Sequence, residues 1–213
     1  MRIGILGTGM MAAALGARWA AAGHDIAVAG RSPDKARALA AELGRGVRAA
    51  TVRESVDGAD AVLLAVAFDG VDETLRAAES AGTLAGTTLI DPTNAVVHGI
   101  GVHRLPIGAS AAQHIAGLAL GAHVVKAFHL FPAAHWSDPG APRVTVPICG
   151  DHAPALRDTE TLIRDAGAEP AVLGGLDRAR QLEEAAGFVI GLAFRGFDPR
   201  AAVPHVQVPA ATG

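Results

Sequence analysis

Short uninterrupted apolar runs alternate with longer segments whose apolar positions recur at helical spacing. Residues 2–6, 26–29, 47–51, 60–66, 87–90 and 124–128 read as short, mainly apolar strands, the fourth of them buried. Helices are expected between them, near residues 9–22, from Ser32-Pro33-Asp34 onward, at 69–80 and at 110–120. Gly23 stands where a glycine would stop the first helix, and Ser32 and Pro33 supply an N-cap and first helical position. The remainder predicts a strand at 143–149, a helix at 154–166, a strand at 170–173 and a long apolar helix at 178–195. Such alternation implies an α/β fold, a Rossmann-type doubly wound parallel sheet with a small C-terminal α/β extension. We expect a nucleotide-binding domain at residues 1–127, a small C-terminal domain at 128–197 and an extended tail at 198–213.

The turn after the first strand reads Gly7-Thr8-Gly9-Met10-Met11-Ala12, a dinucleotide-binding fingerprint with alanine at its third glycine. Gly7 permits the tight turn, Gly9 lets the backbone approach a pyrophosphate, and Ala12 keeps the helix close to the strand. The helix start then offers unpaired N–H groups to the phosphates. At the end of the second strand stands Ala29-Gly30-Arg31-Ser32, without the acid that binds the ribose hydroxyls of NAD. Arg31 supplies a planar fork for a 2′-phosphate, Ser32 a hydroxyl and Lys35 a second positive charge. The site is therefore expected to hold NADP(H). The nicotinamide should lie over Ala65, Val66 and Ala67, at the carboxyl end of the fourth strand.

Composition narrows the chemistry. The chain has 213 residues, a net charge of −3, one cysteine, two lysines and no tyrosine. No basic footprint points to nucleic acid, and no apolar stretch or leader points to a membrane. Chemistry that needs a tyrosine–lysine acid pair is excluded. The lone Cys149 fits a reducing, cytoplasmic setting and reads as a buried small residue. His98, His103 and His135 fall in expected loops without ligand-like partners, so no metal site is expected. Lys126 either turns away from the cleft, because neighbouring strand residues alternate faces, or supplies a proton to a carbonyl or imine substrate. Apolar residues Leu182, Phe188, Val189, Ile190, Leu192 and Phe194 on the last helix predict a homodimer contact.

Several stretches resemble one family. They are Arg2-Ile3-Gly4-Ile5-Leu6-Gly7-Thr8-Gly9-Met10, Gly30-Arg31-Ser32, Asp91-Pro92-Thr93-Asn94, Val124-Val125-Lys126-Ala127-Phe128-His129, Cys149-Gly150-Asp151, and the run from Gly175 to Glu183. Together they look like the NADPH-dependent coenzyme F420 (deazaflavin) reductases, and the likeness extends over residues 1–196. The resemblance implies hydride transfer between NADP(H) and coenzyme F420, the small-molecule redox partner, in a homodimer. It implies that His129 donates a hydrogen bond to the deazaflavin, and that Asn94 and the loop Phe131-Pro132-Ala133-Ala134 flank the ring. Met10 and Met11 either touch a ring or pack the helix start; Glu183 belongs to a motif the family shares and equally suits a salt bridge between helices. Family relatives that reduce metals use a flavin. Two other readings remain compatible with the residues: an NADPH-dependent reductase of a small carbonyl, imine or flavin, and a non-enzymatic NADP(H) sensor.

Overall fold

The strands are β1 (Arg2–Leu6), β2 (Asp25–Ala29), β3 (Val47–Ala49), β4 (Ala61–Leu64), β5 (Thr88–Asp91), β6 (His123–Lys126), β7 (Thr145–Gly150) and β8 (Glu169–Gly174). In this computed structural model, which describes residues 1–81 and 84–207, they form one sheet in the order β3-β2-β1-β4-β5-β6-β7-β8. Neighbours pair in parallel, except that β6 and β7 run antiparallel. The reversal of order beside β1 is the switch point at which open α/β sheets bind ligands. Strands β7 and β8 extend the edge of the same sheet.

The helices are α1 (Met10–Ala21), α2 (Pro33–Leu43), α3 (Val52–Val56), α4 (Val71–Ala81), α5 (Ala111–Leu118), α6 (Ala133–Ser137), α7 (Ala153–Asp165) and α8 (Ala179–Ala193). Strand residues alternate between two cores, because successive side chains leave opposite faces. Ile3, Ile5, Val28, Leu63 and Ile148 pack with α1, α2, α6 and α7. Leu6, Val62, Leu64 and Leu89 pack with α3, α4, α5 and α8. Each such aliphatic side chain contributes roughly 1.5–3 kcal/mol on full burial.

Two short helices lay in stretches read as strand or loop. The third strand stops at Ala49, and Thr51 instead opens α3 through a reciprocal capping box with Glu54. The stretch Pro132–Ala134, expected as a ring-covering loop, begins α6, which packs on α1 and is tied to it by Arg18 Nε donating to the Trp136 carbonyl at 2.7 Å. Strand β6 ends at Lys126 rather than residue 128, because Phe128 adopts a left-handed backbone (φ 62°). That conformation is strained for a bulky residue. It is held by edge-to-face packing of the ring on Trp19 and Trp136, at 5.9 and 5.3 Å between centroids. The tail begins with a 3-10 turn at Pro199–Ala202; its last six residues, 208–213, lie outside the described residues.

Candidate functional site

A cleft of about 640 Å³ opens at the carboxyl ends of β1, β2 and β4. Ten of the residues expected from the sequence line it together: Gly7, Thr8, Gly9, Gly30, Arg31, Ser32, Lys35, Ala65, Val66 and Ala67. Gly7 has φ 131°, and a Cβ there would meet the Ala65 carbonyl oxygen at 2.1 Å, so only glycine can make this turn. Gly9 caps α1 without a side-chain bond, and a Cβ built there meets nothing within 4 Å. The α1 amides therefore face open space, as a pyrophosphate requires. Ser32 caps α2 by accepting from the Lys35 N–H at 3.4 Å, which leaves its hydroxyl proton to donate. These features fit a 2′-phosphorylated dinucleotide. Glu73, Asp69, Thr74 and Val52 also line the cleft; their place shows only once α4 folds over the sheet edge.

The remaining expected residues do not line this cleft. Met10 projects into solvent (81% exposed), while Met11 is half-buried against the α1 core. Pro132 is exposed at the start of α6. Asn94 follows β5 and donates from Nδ2 to the His129 carbonyl at 2.7 Å, leaving its buried Oδ1 without a partner. The His129 side chain is buried, and neither ring nitrogen makes a well-formed hydrogen bond. Burial, with the nearby Lys126 charge, pushes its imidazole down to about 3. It is thus an uncharged ring, with the Leu182 backbone beside it as a weak hydrogen-bonding neighbour.

Beneath these residues lies a buried ionic network. Lys126 Nζ lies 2.7 Å from Asp91 Oδ2 and 2.9 Å from Glu183 Oε1, and donates to the Thr93 carbonyl. All three ammonium protons are thereby used, so Lys126 has none left for a substrate. Asp91 Oδ1 also accepts from the Thr93 N–H and hydroxyl. Glu183 accepts from the Ala111 and Ala112 N–H groups at the start of α5, at 2.9 and 3.2 Å. Burial pulls the Glu183 carboxyl upward, but the Lys126 charge and the Ala111 N–H outweigh it and hold it below the usual carboxylate range. One ammonium faces two carboxylates, and the positive end of α5 offsets the excess.

His103, expected in a loop without ligand-like partners, belongs to this network. Its Nδ1 accepts from the Leu105 N–H at 3.1 Å, so the proton sits on Nε2 and donates to Glu183 Oε2 at 2.9 Å. This bond pins a hairpin, closed by the Val96–His103 bridge, onto α8. Cys149 is fully buried, and burial pushes its thiol up to about 12, which makes it an inert core residue. Among the described residues no three His, Cys, Asp or Glu side chains gather as a metal site. None of their helices is long and apolar enough to cross a membrane.

Residues 2–95 match the family described as NADP oxidoreductase, coenzyme F420-dependent. The resemblance read from the motifs thus has a match over the part of the chain that carries the cleft. The rat metalloreductase STEAP3 is 29% identical over 185 residues, 85% of this chain and 36% of the relative. The chain therefore spans about a third of that curated relative's length. Among solved structures, a hypothetical protein from Sinorhizobium meliloti shares 26% identity with a TM-score of 0.71, covering 98% of this chain and 96% of that one. A candidate F420-dependent NADP reductase from Arthrobacter superposes with a TM-score of 0.74 at 23% identity, over 92% and 96% of the two chains. The reductive aminase of Aspergillus terreus shares the fold at 23% identity and TM-score 0.66, over 92% of this chain and 62% of its own.

Proposed function

We propose that this chain exchanges a hydride between NADP(H) and the deazaflavin coenzyme F420, as a cytoplasmic homodimer. The observation that carries the reading is the pairing of the family match over residues 2–95 with a cleft whose adenosine end offers Arg31, Ser32 and Lys35. Bound NADPH supplies the hydride, and the chain's task is to bind, align and exclude water. In this reading Gly7, Thr8 and Gly9 hold the pyrophosphate, and Ala65, Val66 and Ala67 form a small apolar floor under the nicotinamide. Met10, exposed beside Gly9, flanks the open side together with Met11, Asn94 and Pro132. His129 donates a hydrogen bond to the deazaflavin from an uncharged ring, and its desolvation suits it to donating rather than to carrying charge. Reducing a carbonyl or imine needs a proton donor beside the acceptor carbon. Lys126, the residue considered for that role, has its protons committed to Asp91, Glu183 and Thr93.

The dimer reading is supported by α8 and the neighbouring hairpin. Leu182 is covered within the chain, but Phe188 and Phe194 are more than half exposed, and Ile100 and Val102 extend the apolar surface. Light scattering at micromolar concentration should give twice the chain mass; a monomer overturns this part. For the activity, NADPH should bleach the visible absorbance of oxidised F420, and His129→Ala should lower turnover more than NADPH binding. Absence of turnover with any deazaflavin, beside robust reduction of a small carbonyl or imine, overturns the assignment.

A further inference from the structure

Arg31 follows β2 on one wall of the cleft, and Glu73 lies in the first turn of α4 on the other. They face each other with Nη1 and Oε2 3.6 Å apart, both largely exposed. Two acids line the cleft among the described residues, and Asp69 is already taken by Arg104 at 2.6 Å. Glu73 is therefore the carboxylate set against the cations Arg31 and Lys35, where the sequence places the 2′-phosphate.

We propose that Glu73 moderates the preference of the cleft for a 2′-phosphate as an internal counter-ion, occupying Arg31 in the free protein until the phosphate displaces it. The proposal rests on the NADP(H) reading of the cleft. A phosphate monoester brings close to two negative charges near neutral pH and three acceptor oxygens, so it outcompetes a single carboxylate for the guanidinium fork. An uncharged ribose hydroxyl does not. Glu73 must therefore be displaced before the phosphate gains Arg31, and it opposes the phosphate by like charge, whereas a ligand without the phosphate leaves the pair intact. Because the pair is exposed, the opposition is modest and screened by salt.

Calorimetry with 2′,5′-ADP and 5′-AMP on the wild type and Glu73→Gln tests this. The substitution should tighten 2′,5′-ADP by roughly 3- to 10-fold and leave 5′-AMP within about 2-fold, with the gain shrinking at high salt. In an Arg31→Ala background the same substitution should give a smaller gain, since no cation is then released. A wild type that prefers 2′,5′-ADP, combined with unchanged or weaker binding in Glu73→Gln, overturns the counter-ion role alone. Equal wild-type affinity for the two nucleotides overturns the NADP(H) reading and this proposal with it.

Discussion

Lys126 and Asp91 form a fully buried ion pair, 2.7 Å from Nζ to Oδ2, that joins the carboxyl end of β6 to that of β5. The same ammonium holds the Thr93 carbonyl, and Asn94 next to it holds the His129 carbonyl. Through Glu183 the pair also reaches α5, α8 and the hairpin. Helix α8 is thereby tied to the carboxyl ends of β5 and β6.

Replacing Lys126 with Met should leave two carboxylates buried without their cation. Removing one member of a buried ion pair typically destabilises by about 3–5 kcal/mol. Urea unfolding should show a loss of that order, with part of it recovered when Asp91→Asn is added. A loss under about 1 kcal/mol would mean that water reaches the network.

Arg31→Ala should weaken NADPH binding and spare NADH. A charge-assisted hydrogen bond contributes roughly 1.5–3 kcal/mol, hence on the order of 10- to 150-fold in affinity. Calorimetry with both cofactors measures the ratio. Equal losses would make Arg31 a structural residue.

Acid should destabilise the protein partly through His129. Its ring titrates near 3 when folded and near 6.5 when unfolded. As pH falls below about 6.5 the unfolded chain takes up this proton first, so stability is lost from there down to about 3, at up to about 1.4 kcal/mol per pH unit. Glu183 adds to the acid loss, because its lowered carboxyl is protonated first in the unfolded chain. His129→Gln keeps the Glu183 component and removes the histidine one. Urea unfolding at pH 7, 6 and 5 should therefore show a shallower slope for the variant; identical slopes would contradict a desolvated, uncharged ring.

Gly187→Ala should loosen the hairpin. A Cβ at Gly187 would fall 2.3 Å from the Gly101 carbonyl oxygen, and Gly101 itself sits at φ 80°. Overpacking of this kind destabilises by about 1–3 kcal/mol. Gly117→Ala in α5 meets nothing within 4 Å and should instead gain up to about 1 kcal/mol of helix propensity. Thermal melts of the two variants should move in opposite directions.

Local chemistry explains what could be read directly. An apolar run bounded by turns can be placed without knowing its neighbours, so the strands and their order of use were visible in β1, β2, β4 and β5. The Gly7-Thr8-Gly9 turn and the Ala29–Ser32 strand end were equally visible, because a positive φ and a missing acid are properties of single positions. The short helices α3 and α6 were not. Five residues carry too little periodicity to announce a helix, and α6 exists because Trp136 fits against Phe128 and Arg18 caps its carbonyl.

Taken alone, then, the sequence determined the doubly wound sheet, the dinucleotide turn and the cationic strand end, each set by residues within a few positions of one another. The tertiary structure alone decided that Lys126, Asp91, Glu183 and His103 meet, that Phe128 turns left-handed before His129, that Leu182 is covered, and that Glu73 faces Arg31. These depend on desolvation and on contacts between residues far apart in the chain, from 35 positions for Asp91 and Lys126 to 80 for His103 and Glu183. A charge's partner, and the dielectric around it, exist only once the chain has brought distant strands and helices together.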